Sequence, residues 1–470
     1  MVDCDADGYT SAALLINYLY KLFPTWVENN LTWYMHSSKQ HGLSDCINKI
    51  SNYYSLVICP DAASNDYEYH KQLFDKGIKI LILDHHLADY KSKYAITINN
   101  QLSDYPNKML SGVGIVWQFC RYIDSILEKN YADDFLDLVA LGLTADMMSL
   151  HSFETRYLIT KGFQKENIKN PFIDYMIDKN SFPLSKADYI SSNNNMACTY
   201  MGAAFFIVPF VNAVTRSGTI EEKELLFKSM LNHTAFQQIL SNKKGHKLGQ
   251  MEPLILQAIR TVTNVKNRQT RDEEKGLLIL EKMIEINHML DNKILLFLLE
   301  PGQIAAEIRG LVANKIMNKY QRPCLVLTRT DHNTYEGSGR GYTKTGINSF
   351  KNILEQCQET IYAQGHDNAF GFSIAQTDTS ILLNHINQLL SNISTEPIYR
   401  IDYDFKENDN NNQIILDIAD MNDYWGQDIE RSYININFKI TNSNFQIMKS
   451  NTLKFNLPHG LSIIKFNGTE

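Results

Sequence analysis

The run Ile80-Leu81-Ile82-Leu83, which ends abruptly in Asp84-His85-His86, constrains this chain more than any other stretch. A short β-branched and leucine-rich run bounded by polar residues reads as a buried strand. In an open α/β sheet, chemistry gathers where such strands end. Three metal-seeking side chains therefore stand at one strand end. Alone, the same triplet serves equally as the polar start of a surface loop.

The neighbouring segments repeat the theme. Residues 54–59 form a second buried-strand candidate that ends at Pro60-Asp61, and helical spacing covers roughly 66–76. Residues 3–8, Asp3-Cys4-Asp5-Ala6-Asp7-Gly8, form an acidic turn before an amphipathic helix, with small and hydroxyl residues suited to capping. Strand, acid and helix in alternation imply parallel βαβ units. Met1-Val2 leaves almost no strand before Asp3, although such a turn normally crowns one; either the first strand is abbreviated or an upstream piece lies outside the sequence. Leu110-Ser-Gly-Val-Gly114 opens a further helix, and an apolar helix over 135–143 leads to Asp146.

Alternate residues of extended backbone share a side, so Asp3, Asp5 and Asp7 would converge at one strand tip, and Gly8 would allow a tight turn. Packing so many carboxylates together is costly unless cations sit among them. Oxygen ligands with an imidazole suit Mn²⁺ or Mg²⁺ better than a sulfur-seeking ion. The bland alternatives are a solvated acidic turn or a calcium-like loop, although the downstream glutamate of an EF-hand is missing. Taken singly, Asp61 reads as a helix cap, and Asp146 as either a cap or a ligand.

Composition narrows the partners. At about 150 residues per domain, 470 residues hold two or three domains. A hydrophobic fraction of 44% with 21% charged residues fits packed globular cores. A net charge of −7 excludes a generally basic nucleic-acid coat, so a polyanion would have to be met by a local groove or by metal ions. Seven scattered cysteines without a Cys-x-x-Cys pair argue against a disulfide framework and a structural zinc site. The longest apolar stretch, 201–214, is too short to span a bilayer and reads as a buried helix. No signal peptide is visible, so no membrane partner is expected and a cytoplasmic location is the default.

Residues 191–275 read as a mostly helical connector, with charge at Lys243-Lys244 and from Arg268 to Lys275. A second α/β pattern begins at Gly276, with strands over 294–299 and 323–327 around a helix over 305–319. Gly337-Ser338-Gly339-Arg340 and Gln364-Gly365-His366 follow. Arg340 could grip a phosphate bidentately and His366 could add a hydrogen bond; a surface-loop arginine and a turn histidine are the alternatives. From about 398, the alternating runs 433–440 and 460–466 suggest a small β module. Residues 406–413 read as a polar loop.

The joint order Asp-x-Asp-x-Asp-Gly, Asp61, Asp84-His85-His86, Asp146 resembles the four metal motifs of the DHH phosphoesterase superfamily. Asn99-Asn100 and Leu110-Ser-Gly-Val-Gly114 look like the matching stretch of RecJ exonucleases. Gly337-Ser338-Gly339-Arg340 and Gln364-Gly365-His366-Asp-Asn-Ala-Phe-Gly371 resemble the Ser-x-Arg and Gly-Gly-His-x-x-Ala-x-Gly motifs of the DHH-associated substrate domain. Glu307 to Asn314 and Tyr320 to Pro323 resemble its helix and following strand. Trp425-Gly426 falls where a RecJ OB-like module would begin. Family II pyrophosphatases share the first domain, but their basic C-terminal signature is absent. Three departures stand out: Gln364 replaces the first glycine of Gly-Gly-His, Tyr200 stands near an expected arginine, and the first strand is nearly missing.

This resemblance implies an α/β protein of four parts: a parallel-sheet DHH domain (1–190), the helical connector (191–275), an α/β DHH-associated domain (276–397) and an OB-like β module (398–470). It implies two Mn²⁺ or Mg²⁺ ions. Asp5 with Asp3 would bind one, Asp7, His85 and Asp146 the other, and Asp61 would bridge them. Asp84 would orient an imidazole and His86 would face the scissile phosphate. Ser338, Arg340, Gly365 and His366 would hold substrate. The implied activity is 5′-to-3′ hydrolysis of single-stranded DNA to 5′-mononucleotides in repair and recombination. An oligoribonuclease or cyclic-dinucleotide phosphodiesterase, which usually needs only the first two domains, is the alternative. A non-catalytic replication scaffold is another, weighed against a full set of competent ligands. Protein partners are not readable.

Overall fold

The computed structural model describes the whole chain except residues 37–39, 187–188, 190, 192, 395–397, 399, 406–411, 437–444, 449–451, 457–461 and 466–470. The first helix, α1 (Ala6–Leu22), is capped by Asp5, whose Oδ1 accepts from the Gly8 amide at 3.0 Å. Helix α2 (Pro24–Asn30) opens on a proline, whose missing N–H costs nothing in a first turn. Then come β1 (Leu56–Pro60), α3 (Tyr67–Asp75), β2 (Lys79–Asp84) and β3 (Ile96–Asn99). The three strands form a parallel sheet in the order β1-β2-β3.

Both faces of this sheet are covered, which explains why β2 is a continuous apolar run rather than an alternating one. Ile80 and Ile82 point into a core with Cys59 and Leu73. Leu83 points the other way, into a larger core with Tyr9, Leu14, Val113, Val116 and Leu141. That second core is built by α1 together with α4 (Gly112–Leu127) and α5 (Leu136–Ala145). Helices α6 (Phe153–Gly162), α7 (Pro171–Lys179) and α8 (Ser181–Leu184) complete this part.

The apolar stretch 201–214 is not one helix. It divides into α9 (Tyr200–Phe206) and α10 (Val208–Ser217), with Ile207 out of helical geometry (φ −121°, ψ −58°). Pro209 cannot donate a backbone bond, so it sits in the first turn of a new helix rather than within a continuous one. Helix α11 (Ile220–Ser229) follows, closed at its start by a reciprocal Thr219–Glu222 capping box. An unanticipated hairpin of β4 (Gln238–Leu240) and β5 (Met251–Pro253) then carries the Lys243-Lys244 loop.

Helix α12 (Leu254–Ile286) runs for 33 residues, so the boundary expected at 275/276 falls inside a single helix. It packs on α10 and α11 and then on α13 (Ala306–Tyr320). A five-stranded sheet, β6-β7-β8-β10-β9, is made of β6 (Leu295–Leu299), β7 (Cys324–Arg329), β8 (Thr334–Arg340), β9 (Thr360–His366) and β10 (Ala369–Ala375). Only the β6–β7 pair is parallel. Helices α14 (Phe350–Glu355) and α15 (Thr379–Leu389) complete this part.

The C-terminal segment is not purely β. Strand β11 (Tyr403–Phe405) pairs in parallel with β12 (Ile434–Ile436), and α16 (Asn412–Asp420) lies between them in the chain. Its half-buried Ile414, Ile415 and Ile418 follow a helical spacing. Strands β13 (Phe445–Met448), β14 (Thr452–Asn456) and β15 (Ser462–Lys465) make a separate antiparallel sheet. Most of the polar loop expected over 406–413, and parts of the runs 433–440 and 460–466, lie outside the described residues. Among the described residues no helix is long and apolar enough to cross a membrane.

Candidate metal centre

Four element ends meet on one side of the first sheet. Asp3 precedes α1, Asp5 caps it and Asp7 lies in its first turn. Asp61 follows β1 in the left-handed region (φ 64°), where its amide donates to Leu83 O at 2.8 Å. Asp84 closes β2, with His85 and His86 directly after it. Asp146 is the C-terminal cap residue of α5, and its amide donates to Gly142 O at 2.9 Å.

These side chains fall into two triplets, Asp3/Asp5/Asp61 and Asp7/His85/Asp146, each with ligand atoms within 4.8 Å of one another. Asp61 joins the triplets: His85 Nε2 lies 3.3 Å from Asp61 Oδ1 and 3.4 Å from Asp146 Oδ2. Those contacts are not ion pairs. Burial and the neighbouring charge of His86 pull the His85 imidazole down to about 4, leaving it neutral at pH 7, the form in which a ring nitrogen binds metal.

The carboxylates are under strain of another kind. Burial, then the charge of Asp5, raises Asp7 to about 7. Burial, then Asp7 and Asp5, raises Asp146 to about 8. Asp61 is pushed well above the usual carboxylate range by burial and by Asp7. Three buried oxygens, Asp3 Oδ1, Asp7 Oδ2 and Asp61 Oδ1, have no hydrogen-bond donor. A buried polar atom left unpaired costs about 1–3 kcal/mol, and a charged one more. Cations would satisfy all three at once, and a set of oxygens with one neutral imidazole fits Mn²⁺ or Mg²⁺.

Asp84 is in a different state. Its Oδ1 accepts from the His85 amide (2.7 Å), the His86 amide (3.2 Å) and His86 Nδ1 (2.7 Å), while Oδ2 accepts from Ser64 N (3.0 Å). Against its own burial, the bond to His86 holds Asp84 well below the ordinary carboxylate range. In return Asp84 overcomes the burial of His86 and raises that imidazole to about 9, so His86 is cationic at neutral pH.

Glycines set the spacing. A Cβ on Gly8 would lie 2.5 Å from Asp3 Cβ, and one on Gly112 would lie 2.3 Å from Asp61 Oδ1. One on Gly142 would lie 2.4 Å from both Asp7 Oδ1 and Thr10 Oγ1. Gly142→Ala should therefore lower Tm, by about 1–3 kcal/mol of stability, and weaken Mn²⁺ binding as Asp7 is displaced. Thermal melts with and without Mn²⁺ read both, and an alanine variant with unchanged Mn²⁺ binding would contradict the crowding.

Sequence reasoning missed four contributors. His41 Nδ1 lies 2.6 Å from Asp3 Oδ2, a bond that raises His41 to about 11. His36 is buried with Nε2 3.8 Å from Asp3 Oδ1. Ser111 Oγ donates to Asp7 Oδ1 at 2.9 Å, helped by the Val113 amide at 3.3 Å. Gly142 is the fourth. No spacing rule marks the two histidines, whereas Ser111 lay inside a quoted motif without a role.

The four candidate substrate residues lie apart, on the five-stranded sheet. Arg340, Ala369 and His366 form one row across β8, β10 and β9, so Arg340 and His366 share a face. His366 is exposed, while Arg340 is half-buried and donates to Gly339 O at 2.7 Å. Ser338 and Arg340 both approach α13 at Gly310, where a Cβ would meet Arg340 Nη2 at 2.6 Å and Ser338 Oγ at 3.5 Å. Gly365 adopts φ 130°, with Ala369 O 2.9 Å from a would-be Cβ.

Mn²⁺ should raise Tm more at pH 8 than at pH 5. In the metal-free protein Asp7 and Asp146 have folded values near 7 and 8, above an unfolded value of about 3.9. Their contribution to stability is full below about pH 4 and is lost as pH rises through 7 to 8. Cations relieve that loss by replacing the protons. An equal Mn²⁺-induced rise at both pH values would contradict the shifted carboxylates.

Residues 1–143 match the DHH family, N-terminal domain. Over 441 residues the chain is 33% identical to YorK of Bacillus subtilis (strain 168), assigned as an SPbeta prophage-derived single-strand DNA-specific exonuclease; the match covers 93% of this chain and 73% of that protein. The single-stranded-DNA-specific exonuclease RecJ of the same bacterium is 25% identical over 420 residues, covering 85% of this chain and 47% of RecJ. In fold, the chain superposes on RecJ in complex with Mn²⁺ from Thermus thermophilus with a TM-score of 0.71 at 15% identity, covering all of this chain and 63% of that one. A manganese-bound exonuclease RecJ matches at 0.59 and 17% identity, over 84% of this chain and 89% of that one.

Proposed function

Because this chain belongs to the DHH family, alongside the RecJ-like single-strand DNA-specific exonucleases, we propose that it hydrolyses the phosphodiester bonds of single-stranded DNA from the 5′ end, releasing 5′-mononucleotides, with two Mn²⁺ or Mg²⁺ ions. One observation carries the reading. Carboxylates and an imidazole from four element ends share one buried cluster, and three of their oxygens lack any donor. A role in DNA repair and recombination, a cytoplasmic location and a division into four parts, its 275/276 boundary falling within α12 and its last part carrying α16 besides strands, belong to the same proposal.

Asp3, Asp5 and Asp61 would hold one ion and Asp7, His85 and Asp146 the other, with Asp61 reaching both triplets. When bound, such a pair supplies an ionised water at neutral pH and neutralises charge on the phosphate. His86, cationic and fixed by Asp84, would face the scissile phosphate and protonate the leaving oxygen. Ser111 and the Val113 amide keep Asp7 aimed at the cluster.

Substrate grip would fall to the five-stranded sheet. Arg340 makes no ion pair among the described residues, and burial and the nearby charge of Arg216 lower its hold on its proton. Arg216 likewise makes no ion pair among the described residues, and two guanidiniums that feel each other's charge favour an anion beside them, which a nucleic-acid phosphate fits. His366 lies on the same row, and the glycines beside both residues admit a backbone closely.

The test is a substrate panel with Mn²⁺. The protein should shorten 5′-phosphorylated single-stranded DNA to mononucleotides and lose this in EDTA. Rapid turnover of short RNA or cyclic dinucleotides, with long DNA untouched, would move the assignment to those phosphodiesterases. Mn²⁺ binding without turnover of any substrate would favour a non-catalytic scaffold.

A further inference from the structure

The five-stranded sheet carries a second polar row on the face that bears Arg340 and His366. Its opposite face is apolar, where Tyr335, Ala363, Phe370, Phe372 and Ile374 enter a core. Side chains alternate along a strand, so Glu336 and Ser338 share the face of Arg340, and Tyr362 and Gln364 that of His366. Helix α13 packs on this face over β7 and β8, and its Arg309 donates from Nη1 to Glu336 O at 2.8 Å. Thr328, Glu336, Ser373 and Tyr362 pair in turn across β7, β8, β10 and β9 and so form one row. Glu336 precedes Arg340 by four residues, which puts this row about 13 Å from the row of Arg340, Ala369 and His366. Between the two rows, Gly371 pairs with Ser338 and Gln364 and leaves the floor of β10 without a side chain.

A cavity of about 350 Å³ lies at the second row, lined by Arg309, Thr328, Glu336, Ser338 and Tyr362. That volume falls within the range of small-molecule sites, about 300–1,000 Å³. Its polar groups are under-used. Arg309 Nε, Thr328 Oγ1 and Ser373 Oγ are buried with no hydrogen-bond partner among the described residues, whereas buried polar groups are normally paired. Arg309 makes no ion pair among the described residues, although Glu336 is near enough for its charge to act on both Arg309 and Tyr362. Arg329, also on the lining, is already held by Glu300 at 2.7 Å. The half-buried Tyr362 ring stands beside Gly371, where a Cβ would come within 3.8 Å of its Cε2.

A phosphate matches this cavity poorly, because the Glu336 carboxylate would repel it. A nucleobase matches it well, since it brings donors, acceptors and a flat face together. Single-stranded nucleic acid is read in this way, with an aromatic ring on the face of a base and polar groups on its edge. We propose that the cavity receives one base of the single-stranded substrate and favours guanine. Tyr362 stacks on the base, Glu336 accepts from guanine N1–H and N2–H₂, and Arg309 donates to O6. Guanine alone among the four DNA bases presents two adjacent donors beside an acceptor, so it alone satisfies both carboxylate oxygens while facing a guanidinium. Ser338, on the lining and two residues from Arg340, joins the pocket to the phosphate row. The assignment rests on the reading of this sheet face as the substrate face.

The test is binding in EDTA, read by fluorescence anisotropy with 5′-phosphorylated oligothymidylates that carry one deoxyguanosine at successive positions. One position should bind about tenfold tighter than oligothymidylate alone. Deoxyinosine at that position, which lacks the N2 amino group, should lose the gain. Glu336→Gln should abolish the preference. Tyr362→Ala should weaken every oligonucleotide by about tenfold, and Tyr362→Phe, which keeps the ring, should not. The inosine comparison uses the unaltered protein, so it decides even where a variant fails to fold. Equal affinity at every position, or a preference that survives deoxyinosine, would overturn the proposal. If the same protein still shortens these oligonucleotides with Mn²⁺, the pocket falls alone and the nuclease reading stands. A guanine preference at one position without any shortening would support the pocket and remove the nuclease reading instead.

Discussion

Asp61→Asn should reduce Mn²⁺-dependent shortening of single-stranded DNA by about 10³-fold or more, equivalent to about 4 kcal/mol of transition-state stabilisation. Asn is the informative replacement because Asp61 sits at φ 64°, a region that asparagine also tolerates. Backbone and volume are kept, and only the charge leaves. That charge is nearly fully buried, 3.3 Å from His85 Nε2, and repelled by Asp7 and Asp5. The metal-free variant should therefore melt no lower than the wild type above pH 7, while its Mn²⁺-induced rise in Tm disappears. His85→Ala should likewise abolish activity and the Mn²⁺ response. A metal-free Tm that falls along with activity would mean that Asp61 matters for packing instead. Activity kept within tenfold of wild type would remove it from the centre altogether.

The parts of this fold that were readable are those where one physical demand dominates a short stretch. Burial on both faces makes β2 a continuous apolar run, and its polar end falls where the sheet ends, at Asp84. The acidic turn and the Leu110 to Gly114 stretch were visible because glycine and capping chemistry are local. Long-range demands were not visible. His41 and His36 reach Asp3 across more than thirty residues, and nothing in their neighbourhoods marks them as partners. The left-handed φ of Asp61 follows from tertiary contacts. Gly276 reads as punctuation between domains, yet it lies within α12, where a Cβ would come within 3.1 Å of Val312 on α13. It is small because two helices cross there. Pro209 was in plain view, and its local signal outweighs the apolar continuity of 201–214.

Arg340→Ala should lower kcat/KM on single-stranded DNA by about 10²-fold, equivalent to about 2.7 kcal/mol, and leave the Mn²⁺-induced rise in Tm unchanged. The separation is expected because Arg340 belongs to the five-stranded sheet and, among the described residues, has no hydrogen bond or ion pair to the acid cluster. Its guanidinium is half-buried and charged at any working pH, so the energy of holding it there is recovered when an anion binds. Most of the loss should appear in KM if the contact is made equally in ground and transition states, and in kcat if it aligns the scissile phosphate. Salt supplies an independent reading. Removing one phosphate contact should flatten the dependence of log KM on log salt by about 0.7 for a single strand. Arg340→Lys should restore that slope, because it restores a charge, but little of kcat/KM, because a single ammonium cannot reproduce a two-pronged grip. His366→Ala should repeat the loss in kcat/KM with a smaller change in slope, since the imidazole is assigned a hydrogen bond to the phosphate rather than the two-pronged counter-charge of Arg340. An Arg340→Ala enzyme with wild-type kcat/KM and an unchanged salt slope would place the nucleic acid elsewhere on the molecule, and the row shared by Arg340, Ala369 and His366 would lose its claim to the substrate.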